Sequence, residues 1–241
     1  MKKRLRLEIL PQPDDFTCGP TALHAVYNYF GDAQPLARVI EESPRLENGG
    51  TLAVNLAIHA LQRGYRATIF TFNLQVFDPT WFDLDKAGML RKLDEQREAK
   101  KGRRRVTSAT RAYVKFLNLG GELRYEDLTP PLIRRYLNKG VPILTGLSST
   151  HLYKDRRERD EDAVYDDIRG VPTGHFVVLC GYDRTERSVA VADPFFRNPV
   201  SRSGYYNVDM DRLINAILLG VLTYDANMLI LRPGPERKRR A

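Results

Sequence analysis

Cysteine is scarce in this chain. Two thiols, Cys18 and Cys180, occur in 241 residues. Two cysteines do not make the disulfide framework of a small secreted domain, and they fit a reducing compartment. Histidine occurs four times, so imidazole chemistry has only His24, His59, His151 and His175 to draw on. No apolar run approaches the roughly 20 residues that span a bilayer. The opening "MKKRLRLEIL" carries charge but lacks the apolar stretch of a secretory signal. No internal repeat, low-complexity tract or Walker motif is present. These absences predict a cytoplasmic protein without stable membrane insertion.

What the chain does have is an ordinary globular balance. Apolar residues make up 42% and charged residues 28%, enough to bury a core without disulfides or metals. Net charge is +8. The basic residues cluster in "RKLDEQREAKKGRRR" (91–105) and "ERKRR" (236–240). No nucleic-acid motif accompanies them, so they read as a solvated helix face with its trailing loop and as a basic tail. No nucleic-acid partner is expected. The length predicts one domain over 1–235 with the tail 236–241 after it.

Residues 5–10 alternate and predict a short strand. Ala22, Leu23, Val26, Tyr27 and Phe30 repeat at helical spacing, which predicts a helix from Cys18 to Phe30 closed by Gly31. Further helices fit 35–42, 51–63 (capped by Thr51), 84–101, 107–119, 131–139 and 209–219. Strands fit 67–72, 141–147, 175–182, 188–193 and 228–232. A helix-rich half followed by a strand-rich half is an α+β arrangement. The aromatic segment "FDPTWF" (77–82) either packs on the helical half or lines a cleft. The charged stretch 148–174 is too long for an ordinary connection and reads as a candidate lid.

Cys18 stands where the first helix begins. Unpaired N–H groups and the partial positive charge of a helix start stabilise a thiolate. Gly19 leaves room for a substrate to approach, and Pro20 suits the first turn. A reactive thiol also needs a base. His24 lies about 9 Å further along the same helix and reads as a half-buried surface residue, as does His59. His151 falls in the long charged stretch. His175 differs, because it opens an apolar strand directly after "PTG".

The segment 175–194 reads as a β-hairpin. With its turn centred at residue 185, position 193 faces position 177, and Asp193 becomes a diagonal neighbour of His175 on the same face. An Nδ1–H to carboxylate hydrogen bond is then within reach. Asp183 is excluded, being roughly 26 Å along the strand at about 3.3 Å per residue. Cys180 has the opposite parity and reads as a small buried hydrophobe. Gln12, across a sharp turn from Cys18, has an amide that either faces solvent or helps hold an oxyanion. Asp14 and Asp15 read as turn or cap residues.

"QPDDFTCGPTALHAVYNYFG" followed by "GHFVVLCGYD" and "VADP" resembles the double-glycine peptidase family. These are papain-like cysteine peptidases best known as N-terminal domains of bacteriocin-exporting transporters, with free-standing members as well. The family pattern runs Gln, then Cys–Gly–Pro/Ala on a helix, then His–Phe–Val at a strand start, then Asp–Pro. Gln12, Cys18, His175 and Asp193 match it position by position. The resemblance implies an oxyanion-hole amide, a nucleophile, a general base and an orienting carboxylate in those roles. It implies a papain-like fold with the helix-rich half packed on an antiparallel sheet. The expected activity is hydrolysis of a peptide bond in a peptide or protein substrate, after a Gly-Gly leader by analogy. It calls for neither cofactor nor metal, and any partner transporter is left open. The alternative is a catalytically silent peptide- or protein-binding module on the same fold.

Overall fold

The structure, a computed structural model, describes residues 2–46, 50–159 and 164–235. The expected basic tail lies outside the described residues. Strand β1 (Lys2–Arg4) leads through an extended segment to helix α1 (Cys18–Tyr29). Leu23, Val26 and Tyr27 of α1 are wholly buried. Burying an aliphatic side chain of that kind contributes about 1.5–3 kcal/mol. The chain leaves the helix at Gly31, whose φ of +76° suits a residue without a Cβ. Helices α2 (Leu36–Glu42) and α3 (Ala53–Gln62) follow, then strand β2 (Tyr65–Thr71).

Helices α4 (Lys86–Ala99) and α5 (Arg104–Asn118) pack on one another. The first part of the basic run lies on the exposed face of α4, and the rest forms the turn into α5 and its start. The α4 face is laced by pairs such as Arg91–Glu95 and Lys92–Glu95, as a solvated face should be. "FDPTWF" packs on the helical half: the Phe77 ring lies edge-on to Tyr113 of α5 at 4.6 Å. Strand β3 (Glu122–Arg124) and helix α6 (Pro130–Asn138) precede strand β4 (Ile143–Ser148) and the single-turn helix α7 (Ser149–Tyr153). The chain ends in strands β5 (Gly174–Asp183), β6 (Ser188–Ala192) and β7 (Tyr205–Asp209), helix α8 (Met210–Leu219) and strand β8 (Asn227–Pro233).

An eight-stranded sheet runs β3-β2-β8-β4-β5-β6-β7, with β1 added on β5. Every neighbouring pair is antiparallel except β2 with β3. The α+β arrangement holds, with α1 and α6 packed on the sheet. Strand β2, from the helix-rich half, is threaded into that sheet beside β8.

Three expectations shift. The strand expected over 5–10 is instead paired over Lys2–Arg4. Leu5, Leu7 and Ile9 stay buried in alternation, but β4 already occupies the β5 edge from Gly174 to Leu179, so beyond the Leu5 N–H to Cys180 O bond (2.7 Å) the segment is held by a side chain, Tyr205 OH, which takes the Ile9 N–H (2.9 Å) and donates to Leu7 O (3.0 Å). Helix α3 starts at Ala53, because the Thr51 hydroxyl donates to Pro44 O (2.8 Å) and Asp225 takes the Ala53 N–H (3.4 Å). The described residues of the stretch 148–174 carry regular structure: it opens with α7, and Glu158 bridges to Tyr165 and Val171.

Candidate active site

Asp14 shapes the approach to α1. Its Oδ1 accepts from Phe16 N (2.9 Å), and its carbonyl accepts from the Thr17 hydroxyl (3.2 Å). This is an Asx turn, the local bonding that lets aspartate reverse a chain. No side chain caps the start of α1, so the N–H groups at Cys18 and Gly19 stay directed out of the helix end. The thiol is half-buried at that end. Gly19 does not provide room for substrate. A Cβ there would lie 2.6 Å from Thr51 Cγ2 and 3.2 Å from Phe176 Cδ2. Its missing side chain lets α1 seat directly on β5, beside His175.

The 175–193 hairpin has the expected register where it matters. Val178 pairs with Ala192, which carries position 193 opposite 177. Nearer the turn the register slips by one between Leu179 and Gly181, a β-bulge that absorbs one residue. Cys180 is buried at that irregularity, its Sγ 3.5 Å from Ala190 O. Asp183 caps the far turn by accepting from Thr185 N (2.9 Å).

His175 donates from Nε2 to Asp193 Oδ1 at 2.8 Å. The expected Nδ1 contact is therefore corrected: the ring is turned so that Nδ1 is left for the thiol of Cys18, which lies in contact with the imidazole. Asp193 is wholly buried and fully satisfied. Oδ1 also accepts from Phe195 N (2.8 Å). Oδ2 accepts from Tyr153 OH and Tyr206 OH, each at 2.7 Å.

Electrostatics follow this geometry. Burial works against a charged imidazole. The Asp193 charge and hydrogen bond, reinforced by Cys18, overcome it and push His175 up to about 10. Burial works against a charged Asp193 too, and His175 and the two tyrosines hold that carboxyl below its usual range. Burial and the neighbouring carboxylate push both tyrosines up, so they remain hydroxyl donors.

Gln12 sits over the same place. Its backbone N–H bonds Pro194 O (2.9 Å), and its side-chain Nε2 donates to Asp14 O (2.8 Å). One amide hydrogen is thereby used and the second is left over. A cavity of about 190 Å³ opens beside His175, walled by Gln12, Ser149, Tyr153, Glu158 and Phe195 among others. Glu158 comes from the candidate lid. Burial, with Asp15 and Asp155 as like-charged neighbours, raises its carboxyl above the usual range.

The other histidines do structural work. Against expectation, His24 and His59 are buried rather than half-exposed. His24 Nε2 pairs with Gln34 O (2.9 Å). His59 is held between Tyr27 OH (2.7 Å) and Glu42 (3.2 Å). His151 lies half-buried in α7. Tyr153 and Tyr206 were not singled out by the sequence. A period-two pattern at Tyr206 and Val208 marks β7, but nothing local marks a tyrosine whose partner is 13 or 40 residues away.

Among the described residues no helix is long and apolar enough to cross a membrane. The family model described as "Peptidase_C39 like family" matches residues 4–215. Among curated proteins none matches the sequence. Three solved structures are similar in outline. A double-glycine-motif protease from an AMS/PCAT transporter, in complex with the leader peptide, is 14% identical (TM-score 0.45; 96% of this chain and 94% of that one). The peptidase domain of Streptococcus ComA, a bifunctional ABC transporter, is 15% identical (TM-score 0.44; 95% and 99%). A C39-like peptidase from Bacillus anthracis is 15% identical (TM-score 0.49; 97% and 99%).

Proposed function

Because the chain belongs to the Peptidase_C39 like family, and so is a cysteine peptidase, we propose that it cuts its substrate through Cys18, His175 and Asp193, with Gln12 assisting. The observation that carries this is the His175 Nε2 to Asp193 Oδ1 bond of 2.8 Å, with the thiol in contact with the same ring. The Cys18 sulfur, as thiolate, attacks the carbonyl carbon of the scissile bond. A C–S bond forms and the carbonyl electron pair moves to oxygen. The Cys18 N–H and the second Gln12 amide hydrogen hold that oxyanion. The C–N bond then breaks, and the protonated His175 delivers its proton to the leaving amine. Water, deprotonated by His175, attacks the thioester carbon; the C–S bond breaks, freeing the new carboxyl group and returning Cys18 as thiolate. Asp193 keeps the imidazole in one orientation throughout.

The substrate is a peptide, and a Gly-Gly leader is the favoured sequence before the cut, a preference supported by the family pattern around Cys18 and His175. Such processing fits a cytoplasmic protein. A second reading, a silent binding module, is favoured by one observation: the Gln12 amide is turned onto Asp14 O rather than onto the space beside the thiol.

Fluorogenic peptides with Gly-Gly and with other pairs before the cut separate these readings. Cleavage by the protein, abolished in Cys18→Ala, is the expected result. No cleavage, together with equally slow iodoacetamide alkylation of the wild-type protein and His175→Ala near pH 6, would establish the binding module.

A further inference from the structure

Asp193 has four hydrogen-bond donors around it, and the proposed chemistry uses only His175. Phe195 N shares Oδ1. Oδ2 takes two phenol hydroxyls at 2.7 Å, from elements far apart in the sheet: Tyr153 ends α7, and Tyr206 lies in β7. Tyr206 is buried and Tyr153 half-buried. The buried Oδ2 needs one donor to be satisfied, and the second phenol goes beyond that need.

Hydrogen bonds to a carboxylate stabilise its charged form and lower its proton affinity. Two of them on Oδ2 spread the charge away from Oδ1 and weaken the pull that Oδ1 exerts on the imidazole proton. We infer that Tyr153 and Tyr206 are positioning residues that act through Asp193, fixing its plane and moderating the His175–Asp193 hydrogen bond. A weaker Nε2–H to Oδ1 bond leaves the imidazole less basic, so the proton on Nδ1, the nitrogen turned away from Asp193, is released more readily to a leaving amine. This inference rests on the proposed catalytic roles of His175 and Asp193.

The groups that face the pair are few. Cys18 comes from α1, Tyr153 from α7, Glu158 from the segment after α7, and Tyr206 from β7. Tyr153 also presents its ring to His175, at 6.1 Å between centroids, and to the cavity. Tyr206 is set apart from that cavity, which makes it the cleaner probe.

The test reads the downfield proton resonance of His175 Nε2–H by NMR at neutral pH in the full chain. It needs no substrate, so it succeeds or fails independently of peptide cleavage. Four histidines make assignment by His175→Gln direct. Tyr206→Phe and Tyr153→Phe each keep the ring and remove one donor. The expected result is a downfield shift of a few tenths of a ppm in at least one folded variant, marking a stronger His175–Asp193 bond. An unmoved, upfield or lost resonance in both would overturn the inference and leave the tyrosines as packing alone.

Discussion

Gly19 lies directly against Phe176, with only 3.2 Å available between a Cβ at Gly19 and Phe176 Cδ2. The two residues flank Cys18 and His175 in sequence, so their contact sets how closely thiol and imidazole approach. Gly19→Ala forces α1 away from β5 or displaces Thr51. It is expected to cost about 1–3 kcal/mol, the usual range for overpacking, and to slow alkylation of Cys18. Denaturant unfolding and iodoacetamide kinetics on the same variant check both effects. Unchanged values would show that α1 has slack at its start.

Asp193→Asn and Asp193→Ala are expected to separate. Asparagine keeps an acceptor for His175 Nε2, and its amide can face the tyrosine oxygens. Alanine strands three side-chain donors in a buried space, a severe penalty. Turnover and thermal midpoint should both rank wild type above asparagine and asparagine above alanine. Equal loss in the two variants would mean that charge, not orientation, is what Asp193 supplies.

The His175–Asp193 pair gives stability a pH window. His175 titrates near 10 when folded, against about 6.5 when unfolded. Its contribution is complete below about pH 6.5 and disappears as pH rises through about 10. Asp193 is shifted the other way, so its contribution exists above the usual carboxylate range, about 3.9, and is lost in stronger acid. The thermal-midpoint advantage of the wild type over Asp193→Asn should therefore be greatest between about pH 4 and pH 6.5, shrink as pH rises toward 10 and be gone above it. Turnover should fall over the same alkaline range as the leaving amine loses its proton donor.

Asp225 has the opposite sign. Burial pushes its carboxyl up to about 8, opposed only by the Ala53 N–H bond. Unfolded, it ionises near 3.9, so folding loses stability at this residue between about pH 4 and pH 8. Asp225→Asn keeps an acceptor for Ala53 N. Its melting temperature should match wild type below pH 4 and overtake it increasingly up to pH 8. A constant difference across that range would mean that Asp225 is not protonated in the fold.

Gln12→Ala should lower kcat by roughly 10²- to 10³-fold, the scale of one oxyanion donor. Gln12→Glu replaces the donor with an acceptor and should be at least as damaging. An unaffected kcat in both would confine Gln12 to its bond with Asp14 O.

The two periodicities explain what could be read in advance. The helical spacing of Ala22, Leu23, Val26 and Tyr27 located α1. The alternation along β5 and β6 placed Asp193 beside His175, because a hairpin is a local structure whose turn fixes its register. What escaped was long-range. Which edge of β5 would be free depended on β4 and β1 competing for it. The role of Gly19 depended on Phe176 and Thr51, distant in sequence. The orientation of the imidazole depended on Cys18 and Asp193 together, and the tyrosines became meaningful only once three separate elements met at one carboxylate.

The hairpin joins residues only 18 apart at His175 and Asp193, whereas Cys18 reaches the same ring from the opposite end of the chain. Contacts between remote segments form late, after the entropy of closing long loops has been overcome. A partly folded copy can therefore hold His175 and Asp193 together before Cys18 joins them. Assembly of all three groups thus waits on the docking of α1 against β5.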